Sequence, residues 1–199
     1  MKPRIYFNLD LTLTQMDTPF EELVILTLKR MNVPEDDIDP QLYQTLFFER
    51  FNRLEENPRQ KAFAKYFASK TIDADQQQAA KTYCELEKQA TKPQKGLREL
   101  LRAISQDTPV GVITAGTVEL QRAKIEKIGI QDVLDQVLIT YDQQLSKPDI
   151  LQTVSDERHE TPLYISNSES DMEIAAKAGW NTLQKTASQL TPSEAIAAL

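Results

Sequence analysis

The chain has 199 residues, 40% of them hydrophobic, enough for one domain or a domain with a sizeable insertion. A formal net charge of −7 argues against nucleic acid or anionic membranes as partners, because both are bound through clustered Lys and Arg. No apolar run approaches the ~20 residues of a membrane span, and a single cysteine, Cys84, excludes an internal disulfide framework.

Arg4 to Leu9 is a short aliphatic and aromatic run that reads as a buried strand. It ends in Asn8 and Asp10, followed by Thr12, and polar groups at a strand's carboxyl end in an α/β protein face a ligand site. Because the strand begins so early, no secretory leader is expected, and with one cysteine this fits a reducing cytoplasm. Thr18-Pro19-Phe20-Glu21 reads as a capping box, opening a helix to about Met31. Asp39-Pro40 opens a second helix, with Leu42, Leu46, Phe47, Arg50, Phe51 and Leu54 at helical spacing. Asn57-Pro58 opens a third that buries Phe63, Tyr66 and Phe67, and a fourth runs from about Asp75 to Lys88. Cys84 on that helix reads as a small hydrophobe. The aromatic stripes read as the core of a four-helix bundle, with Phe47, Phe51, Phe63 and Phe67 inside it.

All five glycines follow residue 91, so the second half is a different kind of structure, one that needs tight turns. Strands are expected at Pro109–Thr114, Val137–Thr140, Leu163–Ile165 and Asn181–Leu183. Helices are expected from Gly96, Glu119, Pro148 and Asp171, and from the capping box Thr191-Pro192-Ser193-Glu194. His159 reads as a solvated loop histidine. Strand–helix alternation implies right-handed crossovers and a parallel sheet with helices on both faces. The expectation is therefore an α/β, Rossmann-like domain of five parallel strands (residues 1–14 and 92–199), interrupted by an all-α four-helix insertion (15–91).

Four stretches fall in a telling order: Asn8-Leu9-Asp10-Leu11-Thr12, a strand ending in Thr114, Lys147-Pro148, and Ser166-Asn167-Ser168-Glu169-Ser170-Asp171. Together they resemble the four motifs of the haloacid dehalogenase-like superfamily, most of whose members are phosphatases. The resemblance spans the whole chain. It implies that residue 8 is the position of the carboxylate nucleophile, that Asp10 is the general acid and base, and that Thr114, Ala115, Gly116 and Lys147 hold phosphoryl oxygens. It also implies that residues 8, 10, 167 and 171 surround a Mg²⁺, and that the helical insertion is a lid that selects substrate.

Two of those positions carry asparagine, Asn8 and Asn167. An amide is a far poorer nucleophile than a carboxylate and offers Mg²⁺ no charge, so metal binding is expected to be weak. Asp10 and Asp171 against Lys147 leave a net −1 without any metal. Leu11 and Ser166 also stand where the family usually has glycine, and drift from an active ancestor accounts for all four departures. The leading expectation is a catalytically impaired relative that binds a phosphorylated small molecule or a protein partner. The alternative is an active Mg²⁺-dependent phosphomonoesterase on a nucleotide or sugar phosphate, with Glu169 reaching the metal. A third reading, a metal-independent hydrolase, draws on the way Ser166 and Ser168 resemble a motif of metal-free haloacid dehalogenases.

Overall fold

The computed structural model describes residues 4–156 and 161–199; His159 lies outside the described residues. The elements begin with strands β1 (Ile5–Phe7) and β2 (Thr14–Met16), then helices α1 (Phe20–Arg30), α2 (Pro40–Phe51), α3 (Pro58–Lys70) and α4 (Gln76–Ala90). Strand β3 (Thr91–Pro93), α5 (Leu97–Ser105), β4 (Val110–Thr114), α6 (Val118–Lys127) and β5 (Gln136–Ile139) follow. The chain ends with α7 (Thr140–Gln143), α8 (Lys147–Asp156), β6 (Leu163–Ser166), α9 (Glu169–Lys177), β7 (Asn181–Gln184) and α10 (Pro192–Ala197). It divides into two compact units, Met1–Gln15 with Lys92–Leu199, and Met16–Thr91.

The first unit is built on a five-stranded sheet of order β5-β4-β1-β6-β7, in which every pairing is parallel. Central β1 sets Phe7 opposite Val112 on one side and Ile165 on the other, so three strand ends lie side by side. Alternation along the strands divides the core. Ile5, Phe7, Val112 and Ile165 pack with Leu97, Leu101 and Ile104 of α5. On the opposite face, Tyr6, Ile113 and Tyr164 pack with Ile150 and Leu151 of α8 and with Trp180. Both faces are therefore covered, which is why these strands read as continuous apolar runs. Gly111 lies opposite Tyr6, and a Cβ there would come within 2.5 Å of the tyrosine ring.

The second unit packs α1 to α4 around Leu23, Val24, Tyr43, Phe47, Phe63, Tyr66, Phe67 and Tyr83. Arg59 of α3 pairs with Glu87 of α4 at 2.6 Å, and its guanidinium lies between the rings of Phe47 and Tyr83. Cation–ring contacts and a short ion pair thus join three helices in the apolar interior.

Several local expectations need correction. β1 ends at Phe7 rather than Leu9, because the chain turns at once into a wide helical loop over Leu9–Leu13. Leu11 within that loop is left-handed (φ 59°, ψ 1°), a conformation that crowds a branched side chain. The Thr18 capping box does not form: Pro19 is the N-cap, extended at φ −60°, so the threonine hydroxyl lies one residue too early. Asp39 and Asp75 do cap, accepting from Leu42 N and from Gln77 and Gln78 N, and Thr191 forms its box. Phe51 is only partly buried, because the inward stripe of α2 runs through Tyr43 and Phe47. β2 and β3 form a separate two-stranded sheet that the sequence pattern did not announce, each strand being three residues long.

Candidate functional site

The site lies at the carboxyl ends of β1, β4 and β6. Asn8 follows β1, with its backbone N–H donating to Ile165 O at 2.9 Å, and its side chain is nearly closed off, 8% exposed. Its two amide ends meet different neighbours. Nδ2 donates to the Asp10 carbonyl at 3.0 Å, and Oδ1 accepts from Lys147 Nζ at 3.4 Å. An amide satisfies both neighbours, whereas a carboxylate has no hydrogen to offer the carbonyl.

Lys147, the first residue of α8, donates to both Asp171 oxygens at 2.8 and 2.9 Å. Ser166, the last residue of β6, donates to Asp171 Oδ2 at 2.9 Å. The ammonium of Lys147 therefore lies between residue 8 and residue 171. Asn167 turns elsewhere: Thr12 Oγ1 donates to its Oδ1 and accepts from its backbone N–H, both at 3.1 Å. The structure thus groups Asn8, Lys147, Ser166 and Asp171 directly, and ties Asn167 to the β1 loop through Thr12.

Asp10 has partners the sequence reading missed. Lys124 Nζ donates to its Oδ1 at 2.8 Å, and Gln121 Nε2 donates to its Oδ2 at 2.9 Å. Both donors come from α6, three residues apart and hence on one face. Lys124 is 1% exposed, and a lysine is almost never buried without a counter-charge. Gln121 Nε2 also donates to Ala115 O at 2.7 Å, and it fits only because residue 116 is glycine: a Cβ there would lie 2.2 Å from that nitrogen. In the sequence the two residues stand three apart on an expected helix, and nothing in that spacing points to a buried carboxylate. With Lys124 included, two carboxylates face two ammonium groups and the net charge is zero rather than −1.

Thr114, at the end of β4, is fully buried, and its hydroxyl has no partner among the described residues. The backbone N–H of Gly116 donates to Thr140 Oγ1 at 3.2 Å, so this amide is already committed within the fold. Burial first, and then the charge of Asp171, push the neighbouring Tyr164 hydroxyl well above its usual range.

The Haloacid dehalogenase-like hydrolase family model matches residues 5–185. Comparison with curated proteins finds no match. Among solved structures, a HAD-hydrolase, YfnB, from Bacillus subtilis bound to magnesium is 18% identical, with a TM-score of 0.68 over 91% of this chain and 87% of that one. A 2-haloacid dehalogenase from Pseudomonas syringae pv. Tomato is 18% identical, with a TM-score of 0.67 over 99% of each chain. An L-2-haloacid dehalogenase from Xanthobacter autotrophicus with chloropropionic acid covalently bound is 16% identical, with a TM-score of 0.65 over 92% of this chain and 76% of that one. At such identities the structural likeness speaks for the fold. The family match covers nearly the whole chain, with the four motif stretches inside it, and the chain belongs to the haloacid dehalogenase-like hydrolase family.

Proposed function

We propose that this family member binds a phosphorylated small molecule without hydrolysing it. The observation that carries the reading is Asn8, whose Nδ2 donates to the Asp10 carbonyl while its Oδ1 faces Lys147. Phosphoryl transfer in this family needs a carboxylate there, and an amide whose two ends are both engaged is neither charged nor free to attack. Two features that suit an oxyanion remain, the ammonium of Lys147 and the unpartnered hydroxyl of Thr114.

The donors present do not suit Mg²⁺, which takes oxygen ligands and favours carboxylates. Both oxygens of Asp171 accept from Lys147, Asn167 Oδ1 accepts from Thr12, and Asn8 turns an N–H toward the Asp10 carbonyl. Glu169, the substitute ligand of the active-phosphatase reading, is exposed on the first turn of α9. Several of the structural neighbours are haloacid dehalogenases, which raises halide displacement as a second reading. The Ser166–Asp171–Lys147 chain of hydrogen bonds favours it, since the carboxylate is matched by a lysine. It founders on Asn8, because that chemistry also needs a carboxylate nucleophile.

Turnover of an aryl phosphate and binding of inorganic phosphate test the proposal together. The unmodified chain is expected to bind phosphate while turning over far below the roughly 1 per second of an ordinary enzyme. Asn167→Asp alone is expected to add no turnover. Joined to Asn8→Asp it is expected to exceed the sum of the single changes, because groups in one catalytic unit are non-additive. Ordinary turnover by the unmodified chain sinks the proposal.

A further inference from the structure

We infer that Lys124 and Lys147 are the site's own fixed cations, so that it takes a phosphate-like anion with no divalent metal. The inference deepens the reading just given and rests on it for the identity of the ligand. Its grounds are where the two lysines sit.

Lys147 is within 3.4 Å of Asn8 Oδ1 and 2.9 Å or less of both Asp171 oxygens, so its charge already offsets that carboxylate. Lys124 does the same for the remaining carboxylate, at 2.8 Å from Asp10 Oδ1, and it is buried where its charge has little water to screen it. Gln121 fixes the other Asp10 oxygen and is itself held by the Ala115 carbonyl. An ammonium offers donors only, so neither lysine can share an approaching metal ion as a ligand, and each opposes it by charge. Each carboxylate oxygen keeps a further lone pair, but a dication approaching Asp10 or Asp171 meets a lysine charge already paired there, which lowers what it gains. A phosphate-like anion needs no metal to find a cation and a free donor here, because the ammonium of Lys147, which it would share with Asp171, and the hydroxyl of Thr114 are present without one. Lys124 is the deciding member: without it the site carries a net negative charge, and with it the site is neutral.

The test uses the full chain and two probes, Mn²⁺ alone, followed by electron paramagnetic resonance, and inorganic phosphate, followed by phosphorus NMR in EDTA and again in Mg²⁺. The unmodified protein is expected to leave Mn²⁺ free at 1 mM, on the order of a weak extracellular cation module. Lys124→Met frees one Asp10 oxygen and removes one positive charge, and it is expected to tighten Mn²⁺ binding by about tenfold or more, since affinity follows ligand charge. Should that variant fail to fold, Lys124→Gln removes the charge but keeps a donor for Asp10. Submillimolar Mn²⁺ binding by the unmodified chain, abolished by Asp171→Asn, overturns the inference, as does a folded Lys124 variant with unchanged Mn²⁺ affinity. Phosphate bound only when Mg²⁺ is present overturns it too, while leaving the anion-binding reading intact. Phosphate bound under neither condition overturns that reading instead, and the Mn²⁺ measurements still judge the lysines.

Discussion

Asn8→Asp is the sharpest perturbation of this site, and its cost is worked from two distances. The substitution replaces an N–H donor with a carboxylate oxygen about 3.0 Å from the Asp10 carbonyl oxygen. That carbonyl loses its partner in a place where residue 8 is 8% exposed, a penalty of about 1–3 kcal/mol. The new charge gains attraction from Lys147, but at 3.4 Å, and that ammonium already serves both oxygens of Asp171. Desolvating the added carboxylate costs several kcal/mol and offsets most of the gain. The expected balance is a loss of about 2 kcal/mol, a fall in Tm of roughly 4–8 °C for a chain of this size.

The same variant carries a net negative site, so Mg²⁺ is expected to restore part of the loss. With a Kd of about 1 mM, 10 mM Mg²⁺ returns about 1.4 kcal/mol through preferential binding to the folded state. Thermal melts of both proteins, with and without Mg²⁺ at matched ionic strength, check both halves. The unmodified chain is expected to melt at the same temperature in either buffer. A variant as stable as its parent without Mg²⁺, or a parent that gains as much from Mg²⁺ as the variant does, refutes the reasoning.

Thr114→Val removes a buried hydroxyl that has no partner among the described residues, so it is expected to stabilise the fold by about 1 kcal/mol while weakening phosphate binding; denaturant titration and phosphorus NMR read the two effects. Glu87→Gln leaves the Arg59 guanidinium inside the aromatic core without its counter-charge, and a loss of about 3 kcal/mol is expected in chemical unfolding. Burial raises the hydroxyls of Tyr43, Tyr83 and Tyr164 above the ordinary value of 10.0. Their folded values exceed their unfolded ones, so the stabilisation is intact below that pH and is lost above it, where the unfolded chain ionises first. The slope is up to about 1.4 kcal/mol per pH unit for each tyrosine. Alkaline melts of Tyr164→Phe are expected to fall less steeply than those of the parent.

The fold was legible because apolar runs of strand length alternated with helical spacing, and the motif residues stood at strand ends where the topology gathers them. Asn8, Asp10 and Thr114 stand out in this way, whereas Lys147, at the start of α8, and Asp171, inside α9, were singled out only by the resemblance to the family motifs. Lys124 and Gln121 were not, because a charged residue on a mostly polar helix looks the same whether it faces water or a buried carboxylate. Only the tertiary position of α6 tells the two cases apart. The left-handed backbone at Leu11 was hidden for a related reason: the loop over Leu9–Leu13 is set by the chain leaving β1, and nothing in a leucine announces it. Thr18 misled because a capping box needs its threonine at the N-cap, and Pro19 took that place.

The residues that depart from the family pattern do not behave as scattered losses. Asn8 donates to the Asp10 carbonyl, Ser166 donates to Asp171, and Asn167 accepts from Thr12. Each of these three polar replacements is hydrogen-bonded to another motif residue. Decay of a catalytic site by unrelated substitutions would strand buried polar atoms, which folded proteins rarely tolerate. At this site the orphans among the described residues are Thr114 Oγ1 and Gln121 Oε1, and the threonine lies at the strand end where an oxyanion is expected. Asn8, Ser166 and Asn167 are therefore linked through shared hydrogen-bond partners rather than standing as isolated polar residues. Reverting Asn8 or Ser166 removes a donor from which a neighbouring motif residue accepts, whereas an aspartate at 167 would still accept from Thr12. The first two reversions are therefore the costly ones, and their effects do not add. Ser166 shows the coupling: restoring the family's glycine would strip Asp171 of a donor, leaving Lys147 as the chief neutraliser of its charge.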